Sequence, residues 1–125
     1  MKVLYSIALI GALAAGDAYA ACTYPPPPAK LPDGATASRD EMLAGKKLVT
    51  EFDKAIGEYN TCLQKEADEA IAKLAADDKE KDSKKTEIQK MADQKHNAAV
   101  EADEQVATQF NEQLRAYNAK QKEKK

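Results

Sequence analysis

The sequence contains no proline after Pro32 and no glycine after Gly57. Because these two residue types most often interrupt helices, the rest of the chain favours long continuous helices. Apolar residues recur there at helical spacing in two stripes, and each stripe is wide enough for one packed face. The first stripe includes Met42, Val49, Phe52, Ile56 and Leu63, and the second includes Ile88, Met91, Ala99, Val106, Phe110 and Leu114.

The two stripes are separated by the segment "DDKEKDSKKTE", in which every residue is charged or carries a hydroxyl group. A fold-back of the chain near Lys81 brings the apolar residues of the two stripes face to face. The facing pairs are then Leu48 with Leu114, Phe52 with Phe110, and Ile56 with Val106. This match predicts an all-α fold, an antiparallel two-helix hairpin with an extended proline-rich arm strapped along it. The alternative is one long helix in a coiled-coil dimer.

These patterns divide the chain into segments. They are a signal peptide (1–20), a proline-rich arm (21–37), helix 1 (38–76), a charged turn (77–85), helix 2 (86–121) and a basic tail (122–125). Two sequences have the form of a capping box, in which a hydroxyl and an acid or amide three residues later exchange hydrogen bonds with backbone amides. Ser38 with Glu41 predicts the start of helix 1, and Thr86 with Gln89 predicts the start of helix 2.

The first residues, "MKVLYSIALIGALAAGDAYA", have the pattern of a secretory signal peptide. Lys2 precedes an apolar run from Val3 to about Ala15, and the small-residue pattern ending at Ala20 predicts cleavage after that residue. No later stretch is apolar enough to cross a bilayer, so we expect no integral membrane span in the mature chain. The predicted location is the periplasm of a Gram-negative bacterium or the extracellular medium.

The arm carries Pro25 to Pro28 and Pro32, which favour an extended polyproline conformation, and Asp33-Gly34 is typical of a turn. Two cysteines in an exported chain predict a disulfide between Cys22 and Cys62. The reach of the arm allows it, because an extended segment of this length spans about 50 Å while Cys62 lies about 36 Å along helix 1. A less favoured alternative is a lipid anchor on Cys22, since a lipid-attachment motif requires an aliphatic residue where Tyr19 stands.

Little in the sequence points to chemistry. Acidic and basic residues alternate through a chain of net charge −2, so no basic face predicts binding to nucleic acid. His96 is the single histidine, and only Asp93 lies at helical i, i+3 spacing from it as a second metal ligand. No Gly-x-Ser-x-Gly motif is present. We therefore predict that the protein is not an enzyme, and we predict no catalytic residue, cofactor or metal site.

The remaining interpretation is a binding or structural function. In the register above, the apolar residues with the weakest partners form a predicted interaction patch of Met42, Leu43, Val49 and Val100. This favours a non-catalytic structural or adaptor element whose partner is an unknown protein or a second copy of the chain. The alternative is a holdase-like binder of unfolded envelope proteins, which requires accessible apolar surface.

Several short motifs also resemble a known group of proteins. They are Pro32-Asp33-Gly34, Cys62-Leu63, His96-Asn97-Ala98, Phe110-Asn111 and Arg115-Ala116-Tyr117. In these motifs the chain resembles a set of small exported helical proteins of proteobacteria whose function is uncharacterised. The resemblance implies a bacterial exported helical protein and implies no activity.

Overall fold

The computed structural model describes residues 21–125, so the predicted signal peptide lies outside the described residues. Two helices account for most of this part of the chain: α1 spans Arg39–Ala72 and α2 spans Lys81–Glu123. They pack against each other as an antiparallel hairpin, and residues 21–125 contain no strand. The hairpin prediction is confirmed. The single long helix is wrong, because the chain reverses direction between residues 73 and 80.

The start of α1 is the capping box that the sequence predicts. The Ser38 backbone amide donates to Oε2 of Glu41 at 2.6 Å, and the Glu41 amide donates to Oγ of Ser38 at 3.2 Å. These two hydrogen bonds satisfy amides that have no partner within the helix. The same hydrogen bonds, first the one with the Ser38 backbone, lower the pKa of Glu41 below its ordinary value of 4.5.

Both helix boundaries at the turn differ from the sequence expectation. Helix α1 ends at Ala72 instead of residue 76, and α2 begins at Lys81 instead of residue 86. Thr86 is therefore inside α2, where its hydroxyl donates to the Asp82 carbonyl at 2.9 Å, and the second capping box does not form. Helix α2 continues to Glu123, so the first half of the predicted basic tail is helical.

Asp78 organises the turn. Its Oδ1 accepts a hydrogen bond from the Glu80 amide at 2.9 Å, and its Oδ2 pairs with Nζ of Lys84. Because α1 ends well before it, Asp78 lies at the start of α2, where a negative charge is favourable. The hydrogen bond from Lys84, and next the one from the Glu80 backbone, lower the pKa of Asp78 below its ordinary value of 3.8.

Two clusters of buried side chains form the core. Phe52, Ile56, Ala99 and Val106 make the first, with Val49, Tyr59 and Ala102 packed on its edge. Ala37, Met42 and Phe110 make the second, with Leu31, Val49 and Tyr117 around them. The second cluster thus combines both helices with the end of the arm, which contributes Leu31 and Ala37.

The register of the hairpin differs from the predicted one by nearly two helical turns, since Phe110 lies beside Gly45 rather than beside Phe52. Phe52 and Phe110 belong to different clusters. Leu48 and Leu114, which were expected to face each other, are 42% and 36% exposed. Sliding one helix by whole turns exchanges one apolar residue for another, so the stripes alone determine the register weakly.

The arm forms a third layer on one side of the hairpin. At Asp33 the chain turns, and its carbonyl accepts hydrogen bonds from the amides of Thr36 and Ala37 at 3.1 and 2.7 Å. The arm is held at this end by Lys120, whose Nζ donates to the Ala37 carbonyl at 2.9 Å. Gly34 lies directly on α2, because a Cβ atom there would be 1.8 Å from the Gln113 carbonyl oxygen. No other residue type fits this close approach.

Candidate interaction site

The far end of the arm is held by the disulfide between Cys22 and Cys62, which joins residues 40 apart in the sequence with their Cα atoms 5.7 Å apart. Tyr24 packs edge-to-face on Tyr59, with ring centroids 5.3 Å apart. The predicted disulfide is confirmed, and Leu31 of the arm packs against the second core cluster. Since Sγ of Cys22 is bonded to Cys62, that atom cannot also carry a lipid in this structure.

The opposite side of the hairpin is not covered by the arm. We call this side the open face and define it by two depressions. The first is lined by Arg39, Met42, Leu43, Lys46, Val49, Thr50, Phe110, Asn111, Leu114 and Tyr117, and the second by Asn60, Thr61, Gln64, Lys65, Asp68 and His96. Every lining residue of both depressions belongs to α1 or α2. The two depressions lie on the same side of α1. Their lining residues Leu43, Thr50 and Gln64 are separated by multiples of seven residues, and seven residues make almost two whole turns of a helix.

The first depression, which we call the groove, has a volume of about 450 Å³. The core residues Met42 and Phe110 reach its floor, and Leu43 and Leu114, 53% and 36% exposed, line its sides. Its two charged lining residues are Arg39 and Lys46, and no lining residue is acidic. The groove therefore combines exposed apolar side chains with positive charge.

The four residues of the predicted interaction patch differ in exposure. Leu43 is exposed at the groove, and Val49 and Val100 are half-buried. Met42 is only 5% exposed, because Ala37 of the arm and Phe110 of α2 pack against it, so Met42 was wrongly assigned to the surface. Leu114 was missed, since the predicted register paired it with Leu48.

A second apolar cavity lies between the helices nearer the turn. It has a volume of about 170 Å³ and is lined by Leu63, Glu66, Ala67, Ala70, Ile88, Met91, Ala92 and Lys95. Met91 is 52% exposed there. The cavity is lined by Ala67, Ala70 and Ala92, and its volume is about that of one apolar side chain, so we regard it as a packing gap between alanine-rich stretches of the two helices.

One pair of acids faces across the hairpin. Asp103 of α2 lies against Asp53 of α1, and its Oδ1 is buried without a hydrogen-bond donor among the described residues. Burial raises the pKa of Asp103 above its ordinary value of 3.8, and the neighbouring Asp53 carboxyl raises this pKa further. When both carboxyl groups are ionised, neither can donate a hydrogen bond to the other. When one of them is protonated, its O–H can donate to the other carboxylate. This contact cannot be read from the sequence, because acidic residues are frequent on both helices.

Within residues 21–125, no three His, Cys, Asp or Glu side chains are grouped so that they could hold a metal ion. His96 is exposed, with Nδ1 3.5 Å from Oδ1 of Asn97. In the same range, neither helix has the length and apolar character required to cross a membrane.

Comparison with known proteins gives no family assignment. No protein-family model matches the chain, and no curated protein or solved structure shows significant similarity to it.

Proposed function

We propose that the protein is a non-catalytic exported protein that works as a structural or adaptor element through its open face. The observation that carries this proposal is the difference between the two sides of the hairpin. One side is closed by the arm, which the Cys22–Cys62 bond fastens, and the other presents the groove with exposed Leu43 and Leu114. Exposed apolar side chains beside a concave surface are typical of protein interaction sites.

Export is supported by the disulfide, because such bonds persist mainly in the periplasm and outside the cell. The signal-peptide pattern of residues 1–20 and the resemblance to small exported proteobacterial proteins agree with this location. The periplasm or the extracellular medium is therefore part of the proposal.

The competing function is a holdase-like binder of unfolded envelope proteins. A holdase requires broad apolar surface that adapts to many clients, whereas a structural element or adaptor requires one defined patch. The groove is a defined patch with a positive rim formed by Arg39 and Lys46. This favours one partner of fixed geometry over many unfolded clients.

In-cell photocrosslinking tests the proposal. A photoreactive residue replaces Leu114 at the groove, and a matched control replaces Thr108, which is exposed on α2 but lines neither depression of the open face. One dominant crosslinked species at residue 114 and none at residue 108 is the expected result. That species identifies an adaptor if it contains another protein and a structural element if it contains a second copy. Many unrelated crosslinked proteins would establish the holdase instead, and equal crosslinking at both positions would overturn the role of the open face.

A further inference from the structure

Gly57 has no explanation within the monomer. Glycine is among the poorest helix formers, and the structure accounts for Gly34 and Gly45 by the close approach of α2 and of the arm. A Cβ atom at Gly57, in contrast, would meet nothing within 4 Å among the described residues. Gly57 lies midway between Thr50 and Gln64, so it is at the centre of the α1 surface that lines the open face. A glycine at the middle of an exposed helix surface permits another helix to approach closely from outside.

Two unpaired charges lie symmetrically about Gly57. Lys46 precedes it by eleven residues and Asp68 follows it by eleven, which is close to three helical turns in each direction. Lys46 lines the groove and Asp68 lines the second depression, so both are on the open face. The neighbouring lysines of α1 form ion pairs within the helix, Lys47 with Glu51, Lys54 with Glu58 and Lys65 with Glu69. Among residues 21–125, neither Lys46 nor Asp68 forms an ion pair.

We infer that the open face binds a second copy of the chain, with the two α1 helices crossing antiparallel at Gly57 on a twofold axis. A twofold axis at Gly57 places Lys46 opposite Asp68 of the partner subunit, and it places Asp68 opposite the partner subunit's Lys46. The same operation sets Thr50 opposite Gln64 of the partner subunit. The charges of Lys46 and Asp68 are thus complementary across the axis, as an isologous interface requires.

The hydroxyl groups near the crossing are already satisfied. Oγ1 of Thr50 donates to the Lys46 carbonyl, and Oγ1 of Thr61 donates to the Gly57 carbonyl, each at 3.0 Å. Neither hydroxyl therefore needs water as an acceptor, and burial of these threonines leaves no unsatisfied donor. These two hydroxyl groups therefore add no unsatisfied donor when the helices come together at Gly57.

The position of Val100 on α2 is consistent with the same twofold axis. Asp53 lies against Asp103, and Asn60 shares a depression with His96, so the level of Gly57 corresponds to residues 99 and 100 of α2. Ala99 is buried in the core, whereas Val100 is half-buried beside it. On the twofold axis, Val100 would meet Val100 of the partner subunit and bury the apolar surface that it exposes in the monomer.

The inference rests on the proposed function, because it names the partner of the same open face. It fixes the occupant of the groove as the turn-proximal half of the partner subunit's α1, where Asp68 supplies negative charge to the positive rim. The assembly is a four-helix bundle in which the two arms lie on the outside.

Sedimentation equilibrium tests the charge contacts. It compares the oxidised wild type with Lys46→Glu, with Asp68→Lys and with the double variant that carries both changes. The wild type is expected to be a dimer. Lys46→Glu alone and Asp68→Lys alone each create two like-charge contacts and should raise the dimer dissociation constant about tenfold or more. The double variant should restore the wild-type constant. Lys47→Glu is the control, since it reverses a charge one residue away that already pairs with Glu51. A monomeric wild type, or a double variant that is no better than the single ones, would contradict the inference.

Gly57 provides an independent test. Gly57→Ala should raise the melting temperature at low protein concentration, because the monomer has open space there and alanine favours the helix. Gly57→Leu should also leave a folded monomer, yet it should raise the dimer dissociation constant about a hundredfold by holding the helices apart. Equal dimer affinity for glycine and leucine would overturn the crossing at residue 57. A monomer that still crosslinks to one other protein through residue 114 would refute the dimer and leave the proposed function intact.

Discussion

Pro32 packs on Gly45 so closely that a Cβ atom at residue 45 would lie 2.5 Å from both Cγ and Cδ of the proline ring. The same Cβ atom would lie 3.0 Å from Cε2 of Phe110, so the arm, α1 and α2 meet at this one glycine. The contact explains why a poor helix former occurs inside α1. It also makes the arm part of the folded structure, since its position is fixed by packing as well as by the disulfide.

Gly45→Ala should therefore destabilise the protein. The methyl group gains about 1 kcal/mol of helix propensity, but overpacking against the Pro32 ring costs about 1–3 kcal/mol. We expect a net decrease in the free energy of unfolding, measured by urea denaturation. The control is Gly57→Ala at low protein concentration, where no clash exists and stability should increase. An increase for both variants would show that the arm does not pack on Gly45.

Removal of the disulfide should cost more than any single contact. In the chain-entropy description, a bond that closes a loop between residues 40 apart contributes about 4 kcal/mol to the free energy of unfolding. The Cys22→Ser/Cys62→Ser variant should lose about this much, again measured in urea. On a non-reducing gel the wild type should migrate faster than the reduced protein. A covalent dimer as the main species would mean that the two cysteines pair between chains.

Asp103→Asn should stabilise the protein at neutral pH. The raised pKa of Asp103 means that its contribution to stability is present at low pH and is lost as the pH rises through and above its ordinary value of 3.8. Asparagine remains neutral and can donate to Asp53, so the gain at neutral pH should be about 1 kcal/mol, the worth of one hydrogen bond. Urea titrations at several acidic pH values measure this difference. As the pH rises above 3.8, the variant should not lose the part of the free energy of unfolding that the wild type loses through Asp103. Glu112→Gln, which removes one exposed charge elsewhere on α2, should leave that pH dependence unchanged.

Asp78→Asn should have the opposite effect and destabilise the protein at neutral pH. Because the contacts with Lys84 and Glu80 lower the pKa of Asp78, its contribution is present at neutral pH and is lost as the pH falls below 3.8. The variant should be less stable than the wild type at neutral pH, and the two should converge in strong acid. Asp77→Asn is the matched control, since Asp77 is its exposed neighbour in the same turn. If both variants behave alike, the charge of the turn matters and the contacts of Asp78 do not.

The sequence predicted the fold more completely than the interface. Ser38 with Glu41, and the reach of the arm from Cys22 to Cys62, are local patterns with strict geometry, and both predictions are confirmed. The helix register was missed because alanine and leucine repeats permit several alignments of similar energy. Close contacts of the arm at Gly34 and Gly45 select among them, and such contacts join residues far apart in the sequence. In the selected register Leu114 does not face Leu48, so it is exposed at the groove.

The arm closes one side of the hairpin, and the proposed function requires the other side to stay open for association. Hydroxyl-radical footprinting of the monomer at low concentration checks this difference by comparing the oxidised protein with the Cys22→Ser/Cys62→Ser variant. Tyr59 lies beneath Tyr24 in the structure, whereas Leu43 and Leu114 are exposed on the open face. We expect the oxidation rate of Tyr59 to rise in the variant while the rates of Leu43 and Leu114 stay the same. A rate for Tyr59 that is unchanged by loss of the bond would show that the arm does not close this side.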